Sequence, residues 1–331
     1  MSVQSSIVNV ASAEAKTGSA LTRLLRRHPI SGYFVLAYAG TWTLLLPAVL
    51  SRDGLGALPY SLPFALFAIL FILSGLAGPT LAAFVMTGVT SGRPGVRALL
   101  RRYVLWRVGL RWYLAVLFGY IALYLLIAVI ALGPGSIHSL TSKWPLIFAS
   151  YLPALLTFNL VTAIGEEPGW RGYALPRLQE RYGPLPASLI LGTLHAGWHL
   201  PVFLLPAIGA GSLSLSFVVT WLPTIWGTTV LWTWIFNNTK RSILIAVLLH
   251  SAFDAAGSFV FGQIVIAKTL SSTAGHQVDI TQTIVFVALG VLVLALTRGR
   301  LSYKPGLGLP PVSAPTVDPQ AISQPASRLA S

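Results

Sequence analysis

Apolar and polar positions divide the chain into long uncharged runs separated by short polar or basic stretches. A helix that crosses a hydrocarbon core needs about 20 mostly apolar residues, and about eight runs reach or approach that length. They cover residues 33–50, 62–86, 112–132, 146–164, 185–205, 217–236, 243–261 and 281–296. Backbone N–H and C=O groups in lipid must be paired within their own segment. The pattern therefore predicts an all-α, polytopic transmembrane helical bundle over residues 31–300. No internal repeat is visible, so one helical domain is the simplest organisation.

The loops between the runs alternate in charge. Basic residues precede the first run (Lys16, Arg23, Arg26, Arg27) and separate the second from the third (Arg93, Arg97, Arg101, Arg102, Arg107, Arg111). They recur after the fourth (Arg171, Arg177, Arg181), the sixth (Lys240, Arg241) and the eighth (Arg298, Arg300, Lys304), whereas the other loops hold only Arg52, Lys143 and Lys268. Positively charged loops stay on the cytoplasmic side. Both termini are thus expected in the cytoplasm, in a bacterial cytoplasmic membrane. Residues 1–30 lack a signal-peptide core with a small-residue cleavage site and are expected to form a mobile basic arm. Residues 301–331, rich in Pro, Ser and Ala, are expected to be a disordered tail.

Composition sharpens this picture. Of 331 residues, 55% are hydrophobic and 9% charged, against about 25% charged in a soluble domain. The bilayer is therefore a partner of this surface. The net charge of +14 lies in short clusters, which set topology and meet anionic headgroups. No basic domain could hold a nucleic-acid duplex, so that partner class is excluded. The chain has no cysteine, which removes disulfides, thiolate metal ligands and a cysteine nucleophile.

Ionisable residues in a membrane are costly and mark function by default. The chain has 8 carboxylates and 6 histidines; Glu166, Glu167 and Asp254 among the first and His195, His199 and His250 among the second lie within or against the apolar runs, in three clusters. The first is Gly165-Glu166-Glu167-Pro168-Gly169-Trp170-Arg171-Gly172. If the helix continues past Pro168, Glu167 and Arg171 are four apart and pair on one face, leaving Glu166 as a base; the plainer alternative is an acidic loop with one salt bridge. The second is His195-Ala196-Gly197-Trp198-His199, whose i,i+4 histidines have the ligand spacing of a zinc helix without its internal glutamate; they could equally be packing histidines bonded to carbonyls. The third is His250-Ser251-Ala252-Phe253-Asp254, where the Asp could orient the imidazole, ligate a metal or pair with Arg171, or form a self-contained pair with His250. His195 and His250 each lie roughly 14 Å along their helices, so one cavity open to the cytoplasm could collect all three clusters.

These clusters, in this order, resemble the signature of the CPBP family of CAAX proteases and bacteriocin-processing proteins, also called the ABI family. Its EExxxR motif is matched by Glu166, Glu167 and Arg171, its xxxH motif by His199, and its HxxxN/D motif by His250 and Asp254. Two positions depart from the pattern: His195 stands where the family usually has an aromatic, and Asp254 where many members have Asn. The resemblance covers residues 145–262 and implies an intramembrane endopeptidase acting on a peptide or membrane-protein substrate. It implies catalytic roles for Glu166, Glu167, Arg171, His199, His250 and Asp254, with Glu166 and His199 activating a water. His250 and Asp254 would stabilise the oxyanion or help hold a metal. A histidine-rich site suits zinc, with His199 and His250 as ligands and Glu166, His195 and Asp254 as further donors, although a glutamate-activated water needs no metal. Two rival classes are a non-catalytic bacteriocin-immunity or membrane partner protein and a proton-coupled transporter.

Overall fold

The computed structural model describes residues 19–205, 215–260 and 272–306. Residues 1–18 of the expected arm and 307–331 of the expected tail lie outside the described residues. All regular structure among the described residues is helical, and a helix stands at each apolar run. The first helices are α1 (Ala20–Arg27) and α2 (Pro29–Leu50), followed by α3, a 40-residue run Phe64–Tyr103. Next come α4 (Leu110–Leu132), α5 (Ile147–Tyr182) and α6 (Pro184–Trp198). Last are α7 (Leu215–Asn238), α8 (Ile243–Phe259) and α9 (Ser272–Leu296). The C-terminal part of the expected mobile arm is thus helical, capped by Ser19, whose Oγ accepts from the Thr22 amide at 3.2 Å.

Five of these helices are long and apolar enough to cross a membrane, namely α2, α3, α4, α5 and residues Ala274–Leu296 of α9, and α8 is a shorter apolar helix. The structure accordingly supports about five to six spanning helices where about eight runs were predicted. The shortfall has local causes. In α6 the helix stops at Trp198, two residues before Leu200-Pro201, because proline cannot continue the hydrogen-bond ladder. Its 15 residues extend about 22 Å, less than a core of about 30 Å. In α7 the apolar pattern is interrupted by Thr220, Thr224, Thr228, Thr229, Thr233 and Asn237.

Two of the long helices, α3 and α5, are not simple cylinders. A π turn over Leu76–Thr80 carries Pro79, and another over Pro168–Ala174 begins at Pro168. Each proline lacks the N–H that the α ladder requires, and a wider turn absorbs the defect. Helix α3 also kinks at Gly92, which adopts φ 61°, ψ −162°, a conformation suited to glycine alone. Between α7 and α9 the backbones nearly touch: a Cβ on Gly227 would lie 2.4 Å from the Phe286 carbonyl oxygen. Small residues permit this approach where lipid supplies no hydrophobic drive between helices.

The two largest buried clusters fill most of the bundle. One joins α4, α8 and α9 through residues such as Tyr120, Tyr124, Leu249, Phe259 and Phe286. The other joins α2, α3, the Pro168 turn and α6 through Tyr33, Met86, Trp170, Leu191 and Trp198. Helix α8 contributes to both, and the ionisable clusters sit where the two meet.

The basic loops gather at one end of the bundle. Arg102 donates to the carbonyls of Arg241, Gly172 and Arg171 at 2.9, 2.9 and 3.3 Å. Lys240 Nζ donates to Arg107 O at 3.0 Å, and Arg241 Nη2 to Lys304 O at 2.8 Å. The segment after α9 turns onto this end, where Asn237 Nδ2 donates to the fully buried Leu301 at 2.9 Å. The loops that alternation grouped by charge are thus grouped in space.

Candidate active site

The Pro168 turn builds the centre of the site. Because the chain continues helically through Pro168, Glu167 and Arg171 face each other, and Arg171 Nη1 donates to Glu167 Oε1 at 2.7 Å. Both are buried, 0% and 2% exposed. The turn is close-packed: a Cβ on Gly169 would lie 2.3 Å from the Tyr33 hydroxyl and 2.6 Å from Pro79 O. Arg171 also lies over the Trp232 ring, 4.5 Å from its centroid, so a cation–π contact supplements the ion pair. Trp232 in turn donates from Nε1 to the Tyr120 hydroxyl.

Helix α8 delivers His250 to the same carboxylate. Its Nδ1 lies 2.8 Å from Glu167 Oε1, and its Nε2 lies 3.5 Å from Asp254 Oδ2, one turn further along α8. A carboxylate only accepts, so the Nδ1 proton points at Glu167. Helix α8 starts cleanly because Ser242 Oγ accepts from the Ile245 amide at 3.2 Å. Of the pairings open for Asp254, the structure shows the one with His250, while Arg171 is taken by Glu167.

Glu166 has different company. Its Oε2 accepts from Trp170 Nε1 at 3.3 Å and lies 3.1 Å from His195 Nε2. His199, one turn on from His195, approaches the His195 carbonyl with Nδ1 at 2.9 Å. A carbonyl cannot donate, so Nδ1 carries the proton and Nε2 keeps its lone pair. The His195 ring lies 4.9 Å from His199 and 6.3 Å from His250, centroid to centroid. Glu166, His195 and His199 each offer one ligand atom, all within 4.8 Å of one another. His250, expected as a metal ligand beside His199, and Asp254, expected as a further donor, lie outside this three-residue group.

Two cavities flank the cluster. A small one of about 30 Å³ is lined by Glu166 and His199 with Thr41, Ser74, Gly75 and Trp198, space enough for a water molecule. A larger one of about 220 Å³ touches Arg171, His195, His199, His250 and Asp254, with aromatic walls including Trp221 and Trp232. His199 borders both.

All seven residues singled out from the sequence therefore converge at this one place. The resemblance implied that Glu166 and His199 together activate a water; the structure brings their ligand atoms within 4.8 Å and sets His195 and Trp170 directly against the Glu166 carboxylate. Trp170 stands four residues after Glu166, the same spacing that pairs Glu167 with Arg171, so its role was open to an i,i+4 reading. Trp232 and Arg102 were not singled out, because neither stands in a distinctive pattern.

Residues 148–256 match the family model described as type II CAAX prenyl endopeptidase Rce1-like. A curated relative, the CAAX prenyl protease 2 of Methanococcus maripaludis, is 29% identical over 126 residues, which are 35% of this chain and 44% of that protein. The chain thus aligns with less than half the length of that relative. The matched region contains every residue of the buried cluster.

Proposed function

We propose, from the match of residues 148–256 to the type II CAAX prenyl endopeptidase Rce1-like family model, that this chain is a membrane-embedded endopeptidase acting on a prenylated CAAX-type peptide. The observation that carries this reading is the division of space around His199. A water-sized cavity borders Glu166 on one side, and a cavity able to take part of a peptide lies on the other. Both donors to Glu166 meet Oε2, which leaves Oε1 for the water.

Glu166 accepts a proton from that water as its oxygen bonds to the scissile carbonyl carbon. The oxyanion develops against the wall that carries Arg171 and His250. Glu166 then returns the proton to the leaving nitrogen as the C–N bond breaks, giving a carboxylic acid and an amine. His195 and Trp170 hold the Glu166 carboxylate in place, and Glu167 holds Arg171 and His250. Asp254 orients His250 from the outer side.

The donor chemistry of Glu166, His195 and His199 also fits a divalent cation, zinc foremost. The His199 tautomer leaves Nε2 free to coordinate, and the three ligand atoms are already close. Zinc held there would supply a bound water of lowered pKa. We place the basic end of the bundle, and with it both termini, in the cytoplasm, on the charge alternation and its clustering in space.

The test uses the detergent-purified protein and a synthetic farnesylated CAAX peptide. The wild type is expected to release the C-terminal fragment, and Glu166→Gln to slow release about 10²–10⁴-fold with unchanged thermal unfolding. Cleavage by Glu166→Gln at the wild-type rate would exclude Glu166 as the base.

A further inference from the structure

Threonine in the middle of a helix usually satisfies its hydroxyl by bonding back to the carbonyl four residues earlier. Thr224, Thr239 and Thr297 do this, at 2.8, 2.9 and 2.7 Å from Thr220, Ile235 and Val293. Thr228, on the same helix as Thr224, does not. It is 4% exposed, and its Oγ1 is buried without a hydrogen-bond partner among the described residues. Thr228 lines the larger cavity beside His195, His199 and His250.

A second polar atom shares this condition. Arg171 lines the same cavity, and its Nε is buried without a partner among the described residues, although Nη1 is engaged by Glu167. A buried donor left unpaired is costly, and native structures rarely keep one without a use for it. Nε–H can only donate, and the threonine hydroxyl can donate as well. Both residues line one cavity, and a pair of donors suits an oxygen with two lone pairs. A peptide carbonyl is such an oxygen.

We propose that the Thr228 hydroxyl, together with Arg171 Nε, binds a carbonyl oxygen of the peptide held in the larger cavity. Thr228 is then a substrate-contacting residue on α7, a helix that carries none of the EExxxR, xxxH or HxxxD motif residues. The assignment rests on the peptidase reading of this site and adds to it the hydrogen bonds that fix the peptide backbone.

The deciding comparison is Thr228→Val against Thr228→Ser, with the farnesylated CAAX peptide and the full-length protein. Valine keeps the shape of threonine and removes the hydroxyl; serine keeps the hydroxyl and removes a methyl. Thr228→Val is expected to lose about 10- to 100-fold in kcat/KM, the effect of leaving a buried acceptor unpaired, and Thr228→Ser to recover most of that loss. Binding of the same peptide, followed by fluorescence anisotropy in the Glu166→Gln background, is expected to weaken with Val and return with Ser. Wild-type rates for Thr228→Val would overturn the assignment while leaving the peptidase reading intact. Equal losses in Val and Ser would overturn it too, since a packing defect would then explain both. A wild-type protein that neither binds nor cuts the peptide would overturn the peptidase reading, and this assignment with it.

Discussion

Two adjacent glutamates occupy this site, and their surroundings differ in kind. Glu167 is fully buried and takes both Arg171 and His250 on one oxygen, at 2.7 and 2.8 Å. Glu166 accepts a longer bond from Trp170, lies 3.1 Å from His195, and borders a cavity. The first geometry is that of a charge locked in a tight ion-pair knot, the second that of a charge held but accessible. Chemistry requires a group that can exchange a proton with something outside the protein, and on that ground the accessible carboxylate is the one we propose as the base. The locked one holds Arg171 and His250, which line the larger cavity. One residue of separation along a helix turns a side chain by about 100°, which suffices to give two identical residues different surroundings.

That contrast can be broken most severely at Glu167. Glu167→Ala removes the partner of a buried guanidinium, and stranding one member of a buried pair costs about 3–5 kcal/mol. Thermal unfolding in detergent is expected to show a large loss, whereas Glu166→Gln loses activity and keeps its melting point. Adding Arg171→Met to Glu167→Ala removes the stranded charge and is expected to recover part of the stability. A Glu167→Ala protein as stable as the wild type would show that the two glutamates do not differ as described.

A smaller effect is expected one layer out, at Arg102. Its guanidinium donates to the carbonyls of Arg171 and Gly172 in the Pro168 turn and of Arg241 just before α8. It thereby ties together the two segments that bring Glu167 and His250 into contact. Arg102→Gln is expected to cost about 1–2 kcal/mol of stability, at the low end for hydrogen bonds from a charged group because the site is only half-buried. Arg102→Lys, with fewer donors in a different geometry, is expected to recover only part of it. An unchanged unfolding transition in Arg102→Gln would remove it from the support of the site.

Much of this arrangement was legible in the sequence, for physical reasons. Helices surfaced because a run of apolar residues in lipid has few other ways to satisfy its backbone, and ionisable residues stood out because so few share those runs. The i,i+4 spacing joined Glu167 to Arg171 before any coordinates did. The span count was less legible: Pro201 cuts α6 short, and the threonines of α7 are tolerated by packing that composition does not report. The π turns at Pro79 and Pro168 were invisible, since a proline in a helix signals a defect but not how the backbone absorbs it. Arg102 and Thr228 were hidden more deeply. An arginine in a basic loop reads as topology, and a threonine in a helix reads as filler, until the carbonyls and the cavity around them are known.

The finest distinction within the site concerns His195, which stands at a position usually aromatic in the family that the sequence resembles. Its Nε2 meets Glu166 Oε2, and it belongs to the three-residue donor group. It can thus serve as a clamp on the base, as a metal ligand, or as both, and His195→Phe separates these roles. Loss of one hydrogen bond to a charged group amounts to about 1.5 kcal/mol or somewhat more, so peptide cleavage is expected to fall about tenfold, far less than in Glu166→Gln. Trp170 still holds the same carboxylate oxygen. Zinc binding, measured by metal analysis after equilibration and gel filtration, is expected to be lost outright, because Glu166 and His199 alone leave too few donors for a stable tetrahedral site. Cleavage that survives in a zinc-free His195→Phe protein would assign the water to Glu166 itself. Cleavage that disappears with the zinc, and returns when zinc is restored only in the wild type, would move the chemistry from the carboxylate to the cation.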